Sequence, residues 1–306
     1  MRSFLDDLPE RFRAFNAVDP AWVAALPDLL AGLAKDWDLA IGPYYPNIWI
    51  NYVAPATRVL PGGGREGGVL KVSRYLDETA NEIAALRRWE GDGAARLLRV
   101  DETRGAMLLE RIDPGTMLVD LAESDDDEAT HITAGLLRRL WRPLDPTDLR
   151  GLRPLADWCA AYDRNRPALI AGTGGFPADL FARADALRAA LLETTDAHHV
   201  LHGDMHHFNV LRDCRRGWTA IDPKGLAGDR HFDICQFMRN PSDRTTLEMN
   251  RHRLDIFCVE LGLDRARARD WCFVHAMLDA CWEHEDAPTA ENWRPRVAFA
   301  EQMLRL

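Results

Sequence analysis

No stretch of this 306-residue chain approaches 18 consecutive apolar residues, so no membrane-spanning helix is expected. The N-terminal segment carries Asp6, Asp7, Glu10, Arg11 and Arg13, which break up any apolar run that would act as a secretory signal. Cysteine is sparse and dispersed: Cys159, Cys214, Cys235, Cys258, Cys272 and Cys281 form no C-x-x-C pair. That excludes the common zinc and redox spacings and, without a signal, a disulfide framework; a cytoplasmic protein with reduced, packed thiols is expected. Basic charge is also short. A net charge of −10 offers no footprint for a phosphate backbone, so nucleic acid is not an expected partner, whereas a cationic small molecule is compatible. Lysine is nearly absent from a chain that otherwise uses arginine: only Lys35, Lys71 and Lys224 occur. There is no internal repeat and no low-complexity tract. The 47% hydrophobic content is ample for a core, and the length suits one large domain or two lobes around a cleft.

What is present changes character along the chain. Asp19-Pro20 is a helix start, followed at helical spacing by Trp22, Leu26, Leu29, Leu30, Leu33 and Trp37, with a kink or break expected at Pro27. From Leu39 to Glu110, β-rich stretches (Ile48–Val53, Gly68–Val72, Met107–Glu110) alternate with turns such as P-G-G-G-R-E-G-G, and one helix, Glu78–Trp89, is inserted. After Asp113-Pro114-Gly115 helices dominate: Glu128–Trp141, Leu155–Tyr162, Ala178–Leu192, Phe232–Met238, Thr245–Leu261 and Arg265–His284. Short β pieces at Val210–Leu211 and Trp218–Ile221 flank a His/Asp-rich loop. The expected fold class is α+β: a small antiparallel sheet lobe with one helix (1–112), then a larger, mainly helical lobe (113–306).

The chemistry concentrates in L-H-G-D-M-H-H-F-N, Leu201 to Asn209, and in Asp222, which ends the strand W-T-A-I-D. An Asp on a loop, an Asn five residues later and an Asp closing the next hairpin make a kinase-like site. The first carboxylate, Asp204, orients an acceptor hydroxyl; the Asn209 amide oxygen and Asp222 supply hard oxygen ligands to Mg²⁺. The same loop also reads as a polar hairpin turn, since Gly, Asp and Asn are all turn formers. A zinc site fits less well, because H-G-D-M-H-H lacks ligand spacing and no cysteine completes a shell. Lys71, on a strand just before the helix bearing Glu78 and Glu82, is the candidate cation for the α- and β-phosphates. Either glutamate can pair with it, Glu82 being favoured as the deeper of the two. The strand Met107–Ile112 leads into the connection between lobes, and Glu110 and Ile112 are the expected backbone partners of adenine. Trp282, Glu283, Glu285 and Asp286, at the end of a helix, are a candidate surface for a cationic acceptor. His206, His207 and Phe208 are placed on the substrate side of the loop.

These stretches, with V-L-K-V-S, N-E-I-A-A-L-R-R-W-E-G-D-G, M-L-L-E-R-I-D-P-G and A-I-D-P-K-G-L-A-G-D-R-H-F-D, resemble the aminoglycoside phosphotransferase superfamily, and most closely its streptomycin 6-phosphotransferase and hydroxyurea-resistance kinase branch. The resemblance runs from about Trp22 to Asn240. It implies a protein-kinase-like fold with ATP between the lobes, Asp204 as catalytic base, Asn209 and Asp222 on Mg²⁺, and Lys71 paired with Glu82. It also implies a structural role for His202, with Asp229 and Asp233 bracing the backbone and Asp233 able to cap the helix near Phe232. Two positions depart from the family pattern. Y-Y-P-N-I-W-I-N replaces a glycine-rich turn between the first two strands, and Phe208 stands where a Gly usually precedes the Asn. The implied activity is transfer of the γ-phosphoryl group of ATP to a hydroxyl of a small molecule such as streptomycin. A metabolic kinase, a pseudokinase or AMP-transferring relative, and a metal-dependent hydrolase using His202, Asp204, His206 and Asp222 are the alternatives.

Overall fold

The computed structural model describes residues 7–60, 62–171, 175–287 and 290–306; Pro61, which opens the glycine turn, lies outside the described residues. Helices α1 (Glu10–Phe15) and α2 (Pro20–Trp37) come first. The Asp19 carboxylate caps α2 by accepting from the Trp22 amide at 3.0 Å, and Pro20 fills its first position. Contrary to the expectation of a break, α2 runs on through Pro27. One lost N–H donor is outweighed where Leu26, Leu30, Leu33 and Trp37 are all buried on one stripe.

Five strands then form an antiparallel sheet in the order β1 (Leu39–Ile41), β2 (Tyr52–Val59), β3 (Arg65–Val72), β5 (Ala106–Glu110), β4 (Leu97–Asp101), with α3 (Leu76–Trp89) inserted after β3. The strand expected at Ile48–Val53 is displaced to Tyr52–Val59 and contains Pro55. Proline is tolerated there because the Pro55 carbonyl takes the Gly42 amide just past the end of β1, so its missing N–H faces a strand that has already stopped. Alternation along β5 serves two cores. Ala106 and Leu108 join α1, α2 and the inner faces of β2 and β3, while Met107 and Leu109 join the large core of the helical region.

The rest of the chain is mainly helical. β6 (Pro114–Met117) leads into α4 (Leu118–Ala122) and α5 (Asp126–Leu140), which is capped by Asp125. β7 (Pro143–Leu144) and β8 (Arg153–Pro154) precede α6 (Leu155–Trp158), α7 (Ala161–Ile170) and α8 (Ala178–Glu193); the single helix expected over Leu155–Tyr162 is divided after Trp158. β9 (His198–Leu201) enters the His/Asp loop, the hairpin β10 (Val210–Asp213) and β11 (Gly217–Ala220) leaves it, and β12 (Leu226–Gly228) returns beside β9. Helices α9 (Cys235–Arg239), α10 (Leu247–Leu261), α11 (Arg265–Asp286) and α12 (Arg294–Met303) complete the fold.

Although α3 is threaded through the sheet region, its apolar face (Ile83, Leu86, Trp89) belongs to the core of the helical region. The Trp89 indole N–H donates to the Leu140 carbonyl at 2.7 Å and its ring faces His202, with centroids 6.3 Å apart and planes within 14°. α3 is therefore fixed to the lobe that carries the loop. Truncating Trp89 to Ala is expected to cost about 3–5 kcal/mol, measured by urea unfolding, through lost packing and an unpaired carbonyl. A loss below about 1 kcal/mol would show that α3 is not anchored this way.

Candidate active site

Lys71 on β3 is buried, and its ammonium donates to Glu82 Oε2 of α3 at 2.6 Å and also to Asp222 Oδ1. Of the two candidate glutamates, Glu82 is thus the one that reaches the lysine. Burial works against the charge of Lys71, but the flanking carboxylates of Asp222 and Glu82 outweigh it and hold the ammonium above the ordinary lysine value. Asp222 shows the converse balance. Burial alone would raise it, yet Lys71 and then Lys224 keep its carboxyl well below the usual carboxylate range.

The His/Asp loop is built from buried hydrogen bonds. Asp233 Oδ2 accepts from the His202 amide at 2.9 Å and the Trp141 indole at 3.0 Å, and its Oδ1 accepts from the Gly203 amide at 2.6 Å. Burial pushes Asp233 up to about 6, with those three donors pulling the other way. Of the two roles the resemblance implied for Asp233, bracing backbone and capping the helix near Phe232, it takes the first at the His202–Gly203 amides, and Asp229 provides the cap by accepting from the His231 amide. Asp229 also takes the Arg267 guanidinium and the Trp271 indole; although burial would raise it, His231 and then the Trp271 indole hold it well below the carboxylate range. His202 Nε2 donates to the Ile221 carbonyl at 3.0 Å while Nδ1 accepts from the Asp204 amide at 3.2 Å, which fixes one neutral tautomer. Burial pushes this histidine down to about 4.

The Asn209 side chain is held by the loop backbone, and its amide nitrogen also lies 3.2 Å from His206 Nε2. Its amide nitrogen donates to the Asp204 carbonyl at 3.0 Å, which leaves its side-chain oxygen turned away and free. The Asn209 carbonyl in turn takes the Ile221 amide at 2.9 Å, one residue before Asp222. Asp222 itself sits at φ +59°, a left-handed conformation uncommon for a non-glycine residue and one that persists where surrounding contacts over-determine it. The following turn is wedged against α3: at Gly225, φ +62°, a Cβ would lie 2.0 Å from the Asn81 carbonyl oxygen, so only glycine fits.

The structure thus brings Lys71, Glu82, Asp204, Asn209 and Asp222 together. His206 joins them, with Nε2 3.6 Å from Asp204 Oδ1, and Phe208 is 43% exposed with its ring edge-on to His206. Glu110 has its amide committed to the Arg96 carbonyl and its carboxylate to Arg216, so only its carbonyl remains for a ligand beside the Ile112 amide. Three expectations need correction. His207 is fully buried, stacked on Phe237 at 3.9 Å with neither ring nitrogen hydrogen-bonded, and is a packing residue with no access to substrate. Glu283 pairs with Arg296 at 3.0 Å and Glu285 with Arg164 at 2.8 Å, so these carboxylates are already neutralised. Trp282 packs edge-on against Trp158, which leaves Asp286 alone of that patch exposed without a charged partner among the described residues. Sequence reasoning missed Lys224, whose ammonium lies 3.9 Å from Asp204 Oδ2. Its rarity as a lysine and its place in D-P-K-G, two residues after Asp222, were the available signals.

Residues 56–287 match the family model of the aminoglycoside/hydroxyurea antibiotic resistance kinases. The chain belongs to this family. It is a phosphotransferase that uses ATP and acts on an alcohol group, with the two-lobed α+β kinase-like fold. It is 37% identical to a streptomycin 6-kinase of Streptomyces glaucescens, over 96% of this chain and 94% of that one. It is 34% identical to a hydroxyurea phosphotransferase of Kitasatospora aureofaciens, over 96% of this chain and 83% of the relative. Among solved structures, a choline/ethanolamine kinase family protein from Mesorhizobium loti superposes with a TM-score of 0.64 at 16% identity, over 92% of this chain and 95% of that one. Among the described residues, no single helix is long and apolar enough to cross a membrane.

The kinase's loop histidines give its stability a pH dependence. His202 and His207 are both depressed by burial below the ordinary 6.5, so the unfolded chain takes up protons first as pH falls. Their contribution is complete above pH 6.5; that of His202, on the order of 3 kcal/mol, is lost between 6.5 and about 4, and that of His207 is lost from 6.5 down to about 2. His207→Phe removes one of the two titrating rings without removing a hydrogen bond. Urea unfolding at pH 7.5 and 5.0 should show a smaller pH-induced loss for the variant than for wild type; an unchanged difference would rule out His207 as a contributor.

Proposed function

We propose that the protein phosphorylates a hydroxyl of streptomycin or a closely related aminoglycoside, with Mg²⁺ and with Asp204 as catalytic base. The observation that carries the substrate is identity to a streptomycin 6-kinase along nearly the whole of both chains. The reaction roles rest on the convergence of Lys71, Asp204, Asn209 and Asp222. In this reading residues 1–112 form the nucleotide-side lobe and 113–306 the catalytic and acceptor lobe.

The donor set suits Mg²⁺. Asp222, its side chain 41% exposed, and the free side-chain oxygen of Asn209 are hard oxygen ligands, and two protein ligands are what Mg²⁺ takes when phosphates and water fill the other positions. When bound, the ion supplies charge neutralisation across the β- and γ-phosphates. Lys71, held by Glu82, places its ammonium toward the phosphates. Asp204 aligns the acceptor hydroxyl and accepts its proton late, since phosphoryl transfer of this kind passes through a loose transition state in which positioning dominates. His202 and Asp233 fix the Asp204 backbone from behind. The Ile112 amide and the Glu110 carbonyl are the backbone groups for adenine.

A coupled ADP-release assay over streptomycin, other aminoglycosides, hydroxyurea and sugars, with product masses, tests the reading. Streptomycin should gain about 80 Da, the phosphoryl increment; a gain of about 329 Da would mean AMP transfer instead. Asp204→Ala should retain Mg-ATP binding and lose about 10²–10⁴ in turnover. Unchanged turnover would remove Asp204 from its role, and inactivity toward every aminoglycoside would remove the substrate.

A further inference from the structure

Lys224 stands apart from the other charged groups between the lobes because its donors are unspent. Its backbone is fixed: the amide donates to the His202 carbonyl at 2.7 Å, and the next residue, Gly225, is wedged against Asn81 and gives its carbonyl to the Arg153 amide at 3.0 Å. Its ammonium, by contrast, makes no hydrogen bond among the described residues. Its nearest carboxylate oxygen is Asp204 Oδ2 at 3.9 Å, beyond hydrogen-bonding range, and the side chain is 26% exposed. The charged groups that act on it are Asp222, Asp204, Lys71 and Glu78. Lys71 differs on each count, since its ammonium is buried and already bonded to Glu82 and Asp222. An ammonium with three free donors beside the base, and acted on by the charge of the metal-side carboxylate, is available to the group transferred to the acceptor.

The geometry points to Lys224 as a catalytic residue that binds the γ-phosphoryl group of ATP. In the nucleotide-free protein it balances the charges of Asp204 and Asp222. With ATP in place its ammonium turns from Asp204 to the γ-phosphoryl oxygens, which carry the charge of a loose transition state, and Asp204 is left free for the acceptor hydroxyl. The bond from acceptor oxygen to the γ-phosphorus forms as the bond to the β,γ-bridging oxygen breaks; the acceptor proton passes to Asp204, and ADP leaves with the bonding pair. Lys224 exchanges no proton. This inference rests on the kinase reading given above.

The test compares wild type, Lys224→Met and Lys224→Arg for binding of ADP and of the non-hydrolysable ATP analogue AMP-PNP, both with Mg²⁺, and for streptomycin phosphorylation. Thermal unfolding of each protein shows that the fold is retained. Lys224→Met should bind ADP within about twofold of wild type, bind AMP-PNP about tenfold or more weaker, and lose about 10²–10³ in kcat, the scale seen on removing one transition-state donor. Lys224→Arg should recover part of the AMP-PNP affinity. A Lys224→Met protein that loses kcat but keeps the wild-type ratio of AMP-PNP to ADP affinity would overturn the inference and make Lys224 a positioning residue for Asp204. A kcat within threefold of wild type would overturn it outright while leaving the kinase reading intact. A wild-type protein that binds neither nucleotide and phosphorylates nothing would remove both.

Discussion

Five charged side chains of alternating sign form a row between the lobes: Glu82, Lys71 and Asp222 in contact, then Lys224 beside Asp204, with Asp222 and Lys224 coupled through the field each exerts on the other. Each interior member is stabilised by the one on either side, which is why both lysines stay charged and Asp222, partly open to solvent, stays ionised. Removing one member leaves its neighbours as uncompensated charges, the costly case for buried ion pairs. The row draws on β3 and α3, which are consecutive in sequence, and on the stretch from β9 to β12 far along the chain. It exists only when all three are in register, and much of the buried polar structure nearby serves to keep them so.

That register is maintained by neutral contacts behind the charges. Asp233 gathers the amides of His202 and Gly203 and the indole of Trp141, while His202 ties the loop to Ile221 and places the Asp204 amide. α3 is held from the same side, through Trp89 to Leu140 and through the contact of Asn81 with Gly225. Glu82 is therefore positioned by the helical lobe, although its partner Lys71 belongs to the sheet. The left-handed backbone at Asp222 is the local strain that this bracing sustains.

The sequence made the sheet-then-helices order legible because turn clusters and periodicity change near Asp113, and Asp204, Asn209 and Asp222 were legible because their spacing is itself chemical. What escaped was decided by partners remote in the chain. His207 reads like its polar neighbour His206, and only Phe237, thirty residues on, makes it a core ring. Glu283 and Glu285 read as an acidic patch until Arg296 and Arg164 fold onto them. Asp233 is well placed in sequence to cap a helix, yet two loop amides and an indole claim its carboxylate. Pro27 reads as a kink or break, but the burial of its helix's apolar stripe outweighs the penalty. In each instance a local rule lost to a tertiary contact worth more than the local preference.

The phosphate end of the site shows the same dependence on remote contacts. The turn between β1 and β2 is held by the N-terminal helix in place of being left as free glycine backbone: Arg11 donates to the Ile48 carbonyl at 3.0 Å, and buried Asn16 donates to the Ile50 carbonyl at 3.1 Å. A pinned Pro-Asn turn has less freedom to wrap its amides around phosphate, and in the proposed mechanism that task falls to side-chain cations. Here the choice of lysine in an arginine-rich chain has a physical reason. A guanidinium engages a neighbouring carboxylate through a planar two-bond fork and gives it up less readily, as Arg188 does with Asp163 and Arg253 with Asp126 elsewhere in this fold. An ammonium on a flexible stem holds a carboxylate as a point charge and can exchange it for phosphate without breaking a bidentate lock. Two of the chain's three lysines, Lys71 and Lys224, occur in the charged row, where the proposed mechanism calls for that exchange.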